Sequence, residues 1–234
     1  MKRLYSLVAV LDAPGGFGVA LDGRPVRTPR GEVLALPDAA LAEAIAEEWR
    51  AQGDTVVPHT MPLMRLVCTA VDRVAETRPA VIDHLLAFAG TDMLCYRSAE
   101  AAGLAREQER LWQPLLDWAA SVLAVPLETT TGLLPVPQPA PALAALRRHV
   151  ESYDDWRLTA LADAVAALGS LVLGLALAEG RIDADEAIAA ADLEEDWQNR
   201  RWGVDPLAAE RRRAVAGEIR AAAGLLALRR LAAR

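Results

Sequence analysis

Val19-Ala20-Leu21-Asp22-Gly23-Arg24-Pro25-Val26-Arg27-Thr28-Pro29 decides the fold class of the first part of this chain. Apolar runs flank Asp22-Gly23, the strongest two-residue hairpin signal, because a type I′ turn needs positive φ at both central positions and this pair tolerates it best. Working outward, Tyr5 to Leu11 and Phe17 to Leu21 read as strands separated by Pro14-Gly15-Gly16, Arg24 to Thr28 as a third, and Glu32 to Leu36 as a fourth. The pattern predicts an antiparallel meander. Pro25 and Pro29 cannot donate to a ladder, so the third run lies at an edge or is irregular. Gly15-Gly16-Phe17-Gly18 precedes a strand and fits neither the dinucleotide fingerprint nor the P-loop.

Beyond Pro37 the apolar period becomes helical. Asp38 is the expected N-cap of a helix carrying Leu41, Ile45 and Trp49, and Thr60 that of a second carrying Leu63, Leu66, Val67, Ala70, Val71 and Val74. A third runs from Pro79 to Ala89. Asp92 to Arg97 and Leu127 to Thr131 have strand composition; between them a helix from Leu104 to Ala124 is expected to face inward through Leu111, Leu115, Trp118 and Val122, with a kink at Pro114. After the extended, Pro-rich stretch near 135–141, four helices follow: Ala142 to Ser152, Asp155 to Glu179, Asp183 to Trp202 and Pro206 to Leu231. The expected class is α+β, with a small antiparallel β-rich N-terminal domain over 1–60 and a larger, mainly helical domain over 61–234.

The 234 residues are 53% hydrophobic and 24% charged, enough apolar sequence for a substantial core. A net charge of −7 argues against nucleic acid as a partner of the whole molecule, since phosphate binding needs a basic face. No membrane insertion is expected either. The apolar stretch Ala164 to Ala178 is shorter than the roughly 18 residues needed to span, and Asp163 and Glu179 flank it. Asp12 and Gly15-Gly16 interrupt the apolar start too early for a signal peptide. Cys68 and Cys95 lie in apolar sequence as expected buried thiols, and His59, His84 and His149 lack metal-ligand spacing, so no metal and no cofactor are predicted.

Leu193-Glu194-Glu195-Asp196-Trp197-Gln198-Asn199-Arg200-Arg201-Trp202-Gly203 carries the most concentrated chemistry. At helical spacing Glu194, Gln198 and Arg201 share one stripe, Glu195, Asn199 and Trp202 a second, and Leu193 and Trp197 a third that can anchor to the core. Rigid aromatics beside carboxylates and guanidinium forks suit protein binding, while no His, Cys or Ser converges on the acids for catalysis. Asp196 and Arg200 are spaced as an i,i+4 pair. From Glu179 to Asp196 eight acids face one Arg, whereas Trp197 to Arg234 holds nine Arg and three acids, so neighbouring final helices would neutralise each other.

These stretches resemble a known family. Leu21 to Pro29, Glu48-Trp49 with Ala51-Gln52-Gly53, Met61-Pro62-Leu63 with Arg65-Leu66, Thr91 to Arg97, Gln108 with Trp112 and Pro114 to Trp118, Gly169-Ser170, and Leu193-Glu194-Glu195 to Trp202-Gly203 occur in the order found in the assembly chaperones of the F-type ATP synthase called assembly factor 2. The resemblance covers nearly the whole chain. It implies a non-enzymatic chaperone that binds the unassembled α subunit of the catalytic sector and prevents its aggregation until a β subunit replaces it. The functional acid of the family's Leu-Glu-Glu helix maps onto Glu194, or else Glu195. The expected partner contacts are therefore Glu194, Glu195, Gln198 and Trp202, with Asp92 and Arg97 as a second pair, on a monomeric, cytoplasmic bacterial protein. Gln113 departs from the family's acid at that position, and Met64 and Met93 stand where Thr and Leu are more usual. The rival expectation is a small-molecule enzyme with a pocket between the domains, built from Asp92, Tyr96, Arg97 and the acidic helix.

Overall fold

A computed structural model describes residues 2–99, 101–132 and 134–232. β1 (Val8–Ala13) and β2 (Gly16–Leu21) pair antiparallel from Val8↔Leu21 to Ala13↔Gly16, and β3 (Arg24–Pro25) continues the sheet in the order β1-β2-β3. At the β2–β3 turn Asp22 and Gly23 both have positive φ, 48° and 78°, as a type I′ hairpin requires. The Asp22 carboxylate also accepts from the Leu7 and Ser6 N–H groups at 2.8 and 3.1 Å, tying the turn to the start of β1. The third strand is only two residues long, and the expected fourth reduces to single bridges, Arg27↔Val33 and Phe17↔Leu36. Pro25 and Pro29 interrupt the ladder there. Gly16 allows the 36–37 backbone to cross β2 closely, since a Cβ would lie 2.1 Å from the Leu36 oxygen.

The helical layer begins with α1 (Ala39–Arg50), whose N-cap Asp38 accepts from the Leu41 N–H at 2.9 Å and whose Leu41 and Ile45 are fully buried against the sheet. Thr60 does not cap the next helix. It lies in a 3₁₀ turn, Pro58–Thr60, and α2 (Pro62–Thr69) is capped from α1, where the two Glu48 oxygens accept from the Leu63 and Met64 N–H groups at 2.8 Å each. Burial pushes the Glu48 carboxyl up, and those two hydrogen bonds oppose the shift. A π-helical turn, Ala70–Val74, joins α2 to α3 (Ala75–Gly90), which is non-helical at Thr77 just before Pro79.

The segments expected as strands near 92 and 127 are not strands. Met93–Cys95 is a 3₁₀ turn, and the two segments meet only at the bridge Tyr96↔Thr130. α4 (Ala102–Val122) runs without interruption through Pro114 and buries Gln108, Trp112, Leu115, Leu116 and Ala119, so its inward face is rotated from the expected one and Val122 is exposed. Residues 134–139, outside any helix or strand, lead to α5 (Ala140–Glu151). The single long helix expected over 155–179 is two, α6 (Asp155–Leu168) and α7 (Leu171–Ala178). Gly169 stops the first at φ 71° and Ser170 caps the second, donating to Asp92 while accepting from the Leu173 N–H at 3.0 Å. Every residue of α7 is buried; at Gly174 a Cβ would lie 2.4 Å from a Val165 methyl, so this glycine does permit close helix packing.

The chain breaks again at Asp192, between α8 (Ala184–Ala191) and α9 (Leu193–Trp202), before α10 (Pro206–Ala232) packs back along α6 and touches α1, α2, α7 and α8. One continuous apolar cluster runs from Val19, Leu34 and Ile45 to Leu171, Ile219 and Leu225. No helix among the described residues is long and apolar enough to cross a membrane.

Candidate functional site

α9 hangs on the body by the stripe its spacing marked as anchor. Leu193 is buried, and the half-buried Trp197 ring lies on Gly103, where a Cβ would fall 2.3 Å from the indole. The neighbouring stripe, Glu194 and Gln198, is exposed. Glu194 is nonetheless held in place: its Oε1 accepts from Gln108 Nε2 at 2.7 Å, while the fully buried Gln108 accepts from the Ser98 N–H at 2.8 Å. A neutral amide thus bridges the 92–98 turn to the carboxylate of an exposed residue.

Glu195 leans the other way, 3.7 Å from Arg212 Nε on α10. Arg212 also binds Asp192 and Asp196, at 2.7 Å each. Burial alone would lower its pKa, but hydrogen bonds and charge attraction from Asp192 and Asp196 raise it well above the ordinary arginine value. The expected neutralisation between the last two helices is therefore present, and Asp196 is not paired with Arg200. Arg200 instead meets Glu107 of α4 at 2.7 Å, and the Arg200 and Arg201 guanidiniums lie 5.5 and 4.4 Å from the Trp197 centroid. The C-terminal end of α9 is apolar and open: Trp202 is 77% exposed and, past Gly203 at φ 89°, Val204 is 61% and Leu207 67% exposed.

Asp92 and Arg97 do not join this face. Asp92 has no exposed surface; its carboxylate accepts from Ser170 Oγ at 2.8 and 3.0 Å, from the Val172 N–H at 3.0 Å and from the Leu94 N–H at 3.1 Å. It caps α7 from outside the helix, and burial pushes its carboxyl up against those hydrogen bonds. Arg97, half-buried, lies 5.4 Å from the Trp112 centroid and donates to Gln113 Oε1 at 3.2 Å. Burial lowers its pKa, and its Nε and Nη1 have no hydrogen-bond partner among the described residues.

Sealed in this way, Asp92 cannot line the expected interdomain pocket with α9. Cavities of about 640 and 610 Å³ lie elsewhere, around Thr28, Trp49 and Asp72 and around Tyr5 and Arg24. Among the described residues no group of His, Cys, Asp and Glu could hold a metal ion. Burial pushes the Cys68 thiol up to about 11 and the Cys95 thiol up to about 12, so neither is a ready thiolate at neutral pH.

The model for the ATP12 chaperone protein family matches residues 2–120. The chain belongs to this family. Its fold is that of the solved Atp12 of Paracoccus denitrificans, with a TM-score of 0.93 at 42% identity over 97% of both chains, and an aspartate-to-lysine mutant of that protein gives the same values. It is also 27% identical over 214 residues to the mitochondrial protein atp12 of Schizosaccharomyces pombe, covering 86% of this chain and 74% of that one. ATP12 membership makes this protein a chaperone in ATP synthase assembly.

Sequence reasoning had not marked Gln108, Gly103, Val204 and Leu207 as parts of the α9 surface. Val204 carried a readable signal, a large apolar residue in the Gly203-to-Pro206 break where no amphipathic period demands it, and Leu207 follows directly at the start of α10. Gly103 and Gln108 carried none, because their partners lie 94 and 86 positions away in sequence.

Proposed function

We propose that this ATP12-family protein binds the unassembled α subunit of the F-type ATP synthase catalytic sector in the bacterial cytoplasm, keeping it from aggregating until a β subunit displaces it. The docking surface in this reading is the outer face of α9, with Glu194 and Gln198 as polar contacts, Glu195 at the margin, and Trp202 extended by Val204 and Leu207 as the apolar contact. The observation that carries it is that one short helix carries both features: a carboxylate held at 2.7 Å by a buried amide in its first turn, and three large apolar side chains standing open at and just beyond its end. Exposed apolar surface rimmed by polar groups marks protein-binding sites, and aromatic anchors supply much of their energy. Asp92 and Arg97 contribute by shaping the turn that positions Gln108. Release needs no hydrolysis here; competition by the β subunit for the same α surface suffices by mass action.

The test is light scattering of isolated α subunit on dilution from denaturant, without nucleotide. The protein is expected to suppress aggregation at equimolar ratio, and Glu194→Lys to lose that protection while keeping its circular dichroism and melting temperature. Full protection by a folded Glu194→Lys variant would remove α9 from the mechanism.

A further inference from the structure

A cavity of about 640 Å³ opens on the side of the molecule formed by the loop after β3, α1, α2 and the π-helical turn. Three residues of its lining each carry a buried polar atom without a hydrogen-bond partner among the described residues: Thr28 Oγ1, Trp49 Nε1 and Asp72 Oδ1. Thr28 is 5% and Asp72 7% exposed, so these are deep groups. The other Asp72 oxygen is engaged, accepting from the Arg30 N–H at 3.2 Å, which fixes the carboxylate with one oxygen left over. Asp72 stands in the Ala70–Val74 π turn, a distortion that recurs at functional positions because it re-aims a side chain at the expense of regular helix. Leaving a buried carboxylate oxygen, an indole N–H and a hydroxyl all unpaired is unfavourable by several hydrogen bonds' worth, and the three residues that carry them all line this one cavity.

The lining defines its chemistry. Val56, Met61 and Met64 give apolar walls, and methionine adapts its shape to varied partners. One acceptor (Asp72), one donor (Trp49) and one hydroxyl (Thr28) are complementary to a peptide unit, whose N–H donates and whose C=O accepts. Four arginines, Arg27, Arg30, Arg65 and Arg73, surround the cavity, and only Arg30 has a carboxylate within ion-pairing distance among the described residues, Glu76 at 2.8 Å. On a protein of net charge −7 this is a local basic patch.

We propose that this cavity binds an extended, acidic segment of a partner protein, with an apolar side chain between the methionines, a backbone amide on Asp72 and Trp49, and carboxylates on the arginine rim. The site is separate from α9 and does not depend on the identity of the client docked there.

The probe is a blocked nonapeptide of alternating glutamate and leucine, titrated into the full-length ¹⁵N-labelled protein while the tryptophan indole N–H resonances are followed. One resonance, identified by its loss in Trp49→Phe, is expected to shift saturably. A peptide with lysine for each glutamate should bind at least tenfold more weakly. Asp72→Asn is expected to weaken binding about tenfold without lowering the melting temperature, because its amide can keep the Arg30 contact only by turning an NH₂ group toward the cavity. If Asp72→Asn does not fold, the isosteric Thr28→Val, which removes an unpaired hydroxyl, decides by the same readout. No shift of the Trp49 resonance, equal binding of the lysine peptide, binding of N-acetyl-leucine as tight as the peptide, or unchanged affinity in the folded variant would each overturn the proposal.

Discussion

Asp92 and Glu194 are both acids in polar-apolar stretches of similar appearance, and both were candidates for partner contact. The fold puts them to opposite uses. Asp92 is fully buried and accepts from the Ser170 hydroxyl, from the Val172 N–H in the first turn of α7 and from the Leu94 N–H, whereas Glu194 takes a single amide hydrogen bond and otherwise faces solvent. The difference follows from what each meets. A helix that starts in the core has N–H groups that no water can satisfy, so an acid nearby is drawn in as a cap. α9 is anchored by Leu193 and Trp197, and in its first turn Glu194 is exposed while Glu195 and Asp196 are half-buried against Arg212. The inward acid serves as a cap, and the outward one is left free for the recognition role proposed for it.

The sharpest way to break that distinction is Asp92→Ala. It strands the Ser170 hydroxyl and the Leu94 and Val172 N–H groups in a dry environment, and a loss of about 3–5 kcal/mol is expected in urea unfolding. Ser170→Ala, which removes the α7 cap and one donor to Asp92, should lose about 1–3 kcal/mol. An Asp92→Ala variant as stable as the wild type would refute its assignment as a structural cap.

Glu179 is a second inward acid, and it sharpens the comparison through pH. Attraction from the His149 imidazole, 3.4 Å away, then the Tyr153 hydroxyl and the Arg157 guanidinium at 2.9 Å hold its carboxyl down to about 2, against the effect of burial. A folded value below the unfolded one means its stabilisation is complete above about pH 4.5 and is lost as pH falls from there toward 2. Allowing for partial exposure, the loss is on the order of 1–2 kcal/mol. Urea midpoints measured from pH 5 to pH 3 should fall more steeply for the wild type than for Glu179→Gln; equal slopes would show that Glu179 contributes nothing.

What the sequence disclosed divides along the same line. The Asp22-Gly23 turn, the Asp38 cap and the Leu193–Trp197 anchor were readable because each depends on neighbours within four residues. The splitting of two long helices at Gly169 and Asp192, and the capping of α2 by Glu48, were not, since each answers to a tertiary partner: Asp92 for Ser170, Arg212 for Asp192, the α2 backbone for Glu48. Strand-like composition around Cys95 misled for a related reason. An apolar segment with β-branched and aromatic neighbours suits any buried extended chain, and here the sheet offers it no edge, so it closes into a 3₁₀ turn under Asp92. Among the site residues, the exposed stripe of α9 was legible from periodicity, while which acid turned outward was settled by Gln108 and Arg212 competing for Glu194 and Glu195.

The smallest effect in the series is the most informative. Glu194→Ala removes one partly exposed hydrogen bond from Gln108, whose amide then lies beside the opening left by the side chain and can reach solvent, so the stability change should stay within about 1 kcal/mol. Protection of the α subunit against aggregation should nevertheless fall several-fold if α9 docks the client as proposed, because the substitution takes the charged group away from that surface. Glu195→Ala makes the control: its carboxylate faces Arg212 at 3.7 Å, where Asp192 and Asp196 already satisfy that guanidinium, and it is expected to change neither stability nor protection by a comparable amount. A Glu194→Ala variant that lost stability like Asp92→Ala would place Glu194 among the inward acids, and equal losses of protection in the two alanine variants would mean that α9 acts through its net charge rather than through one positioned carboxylate.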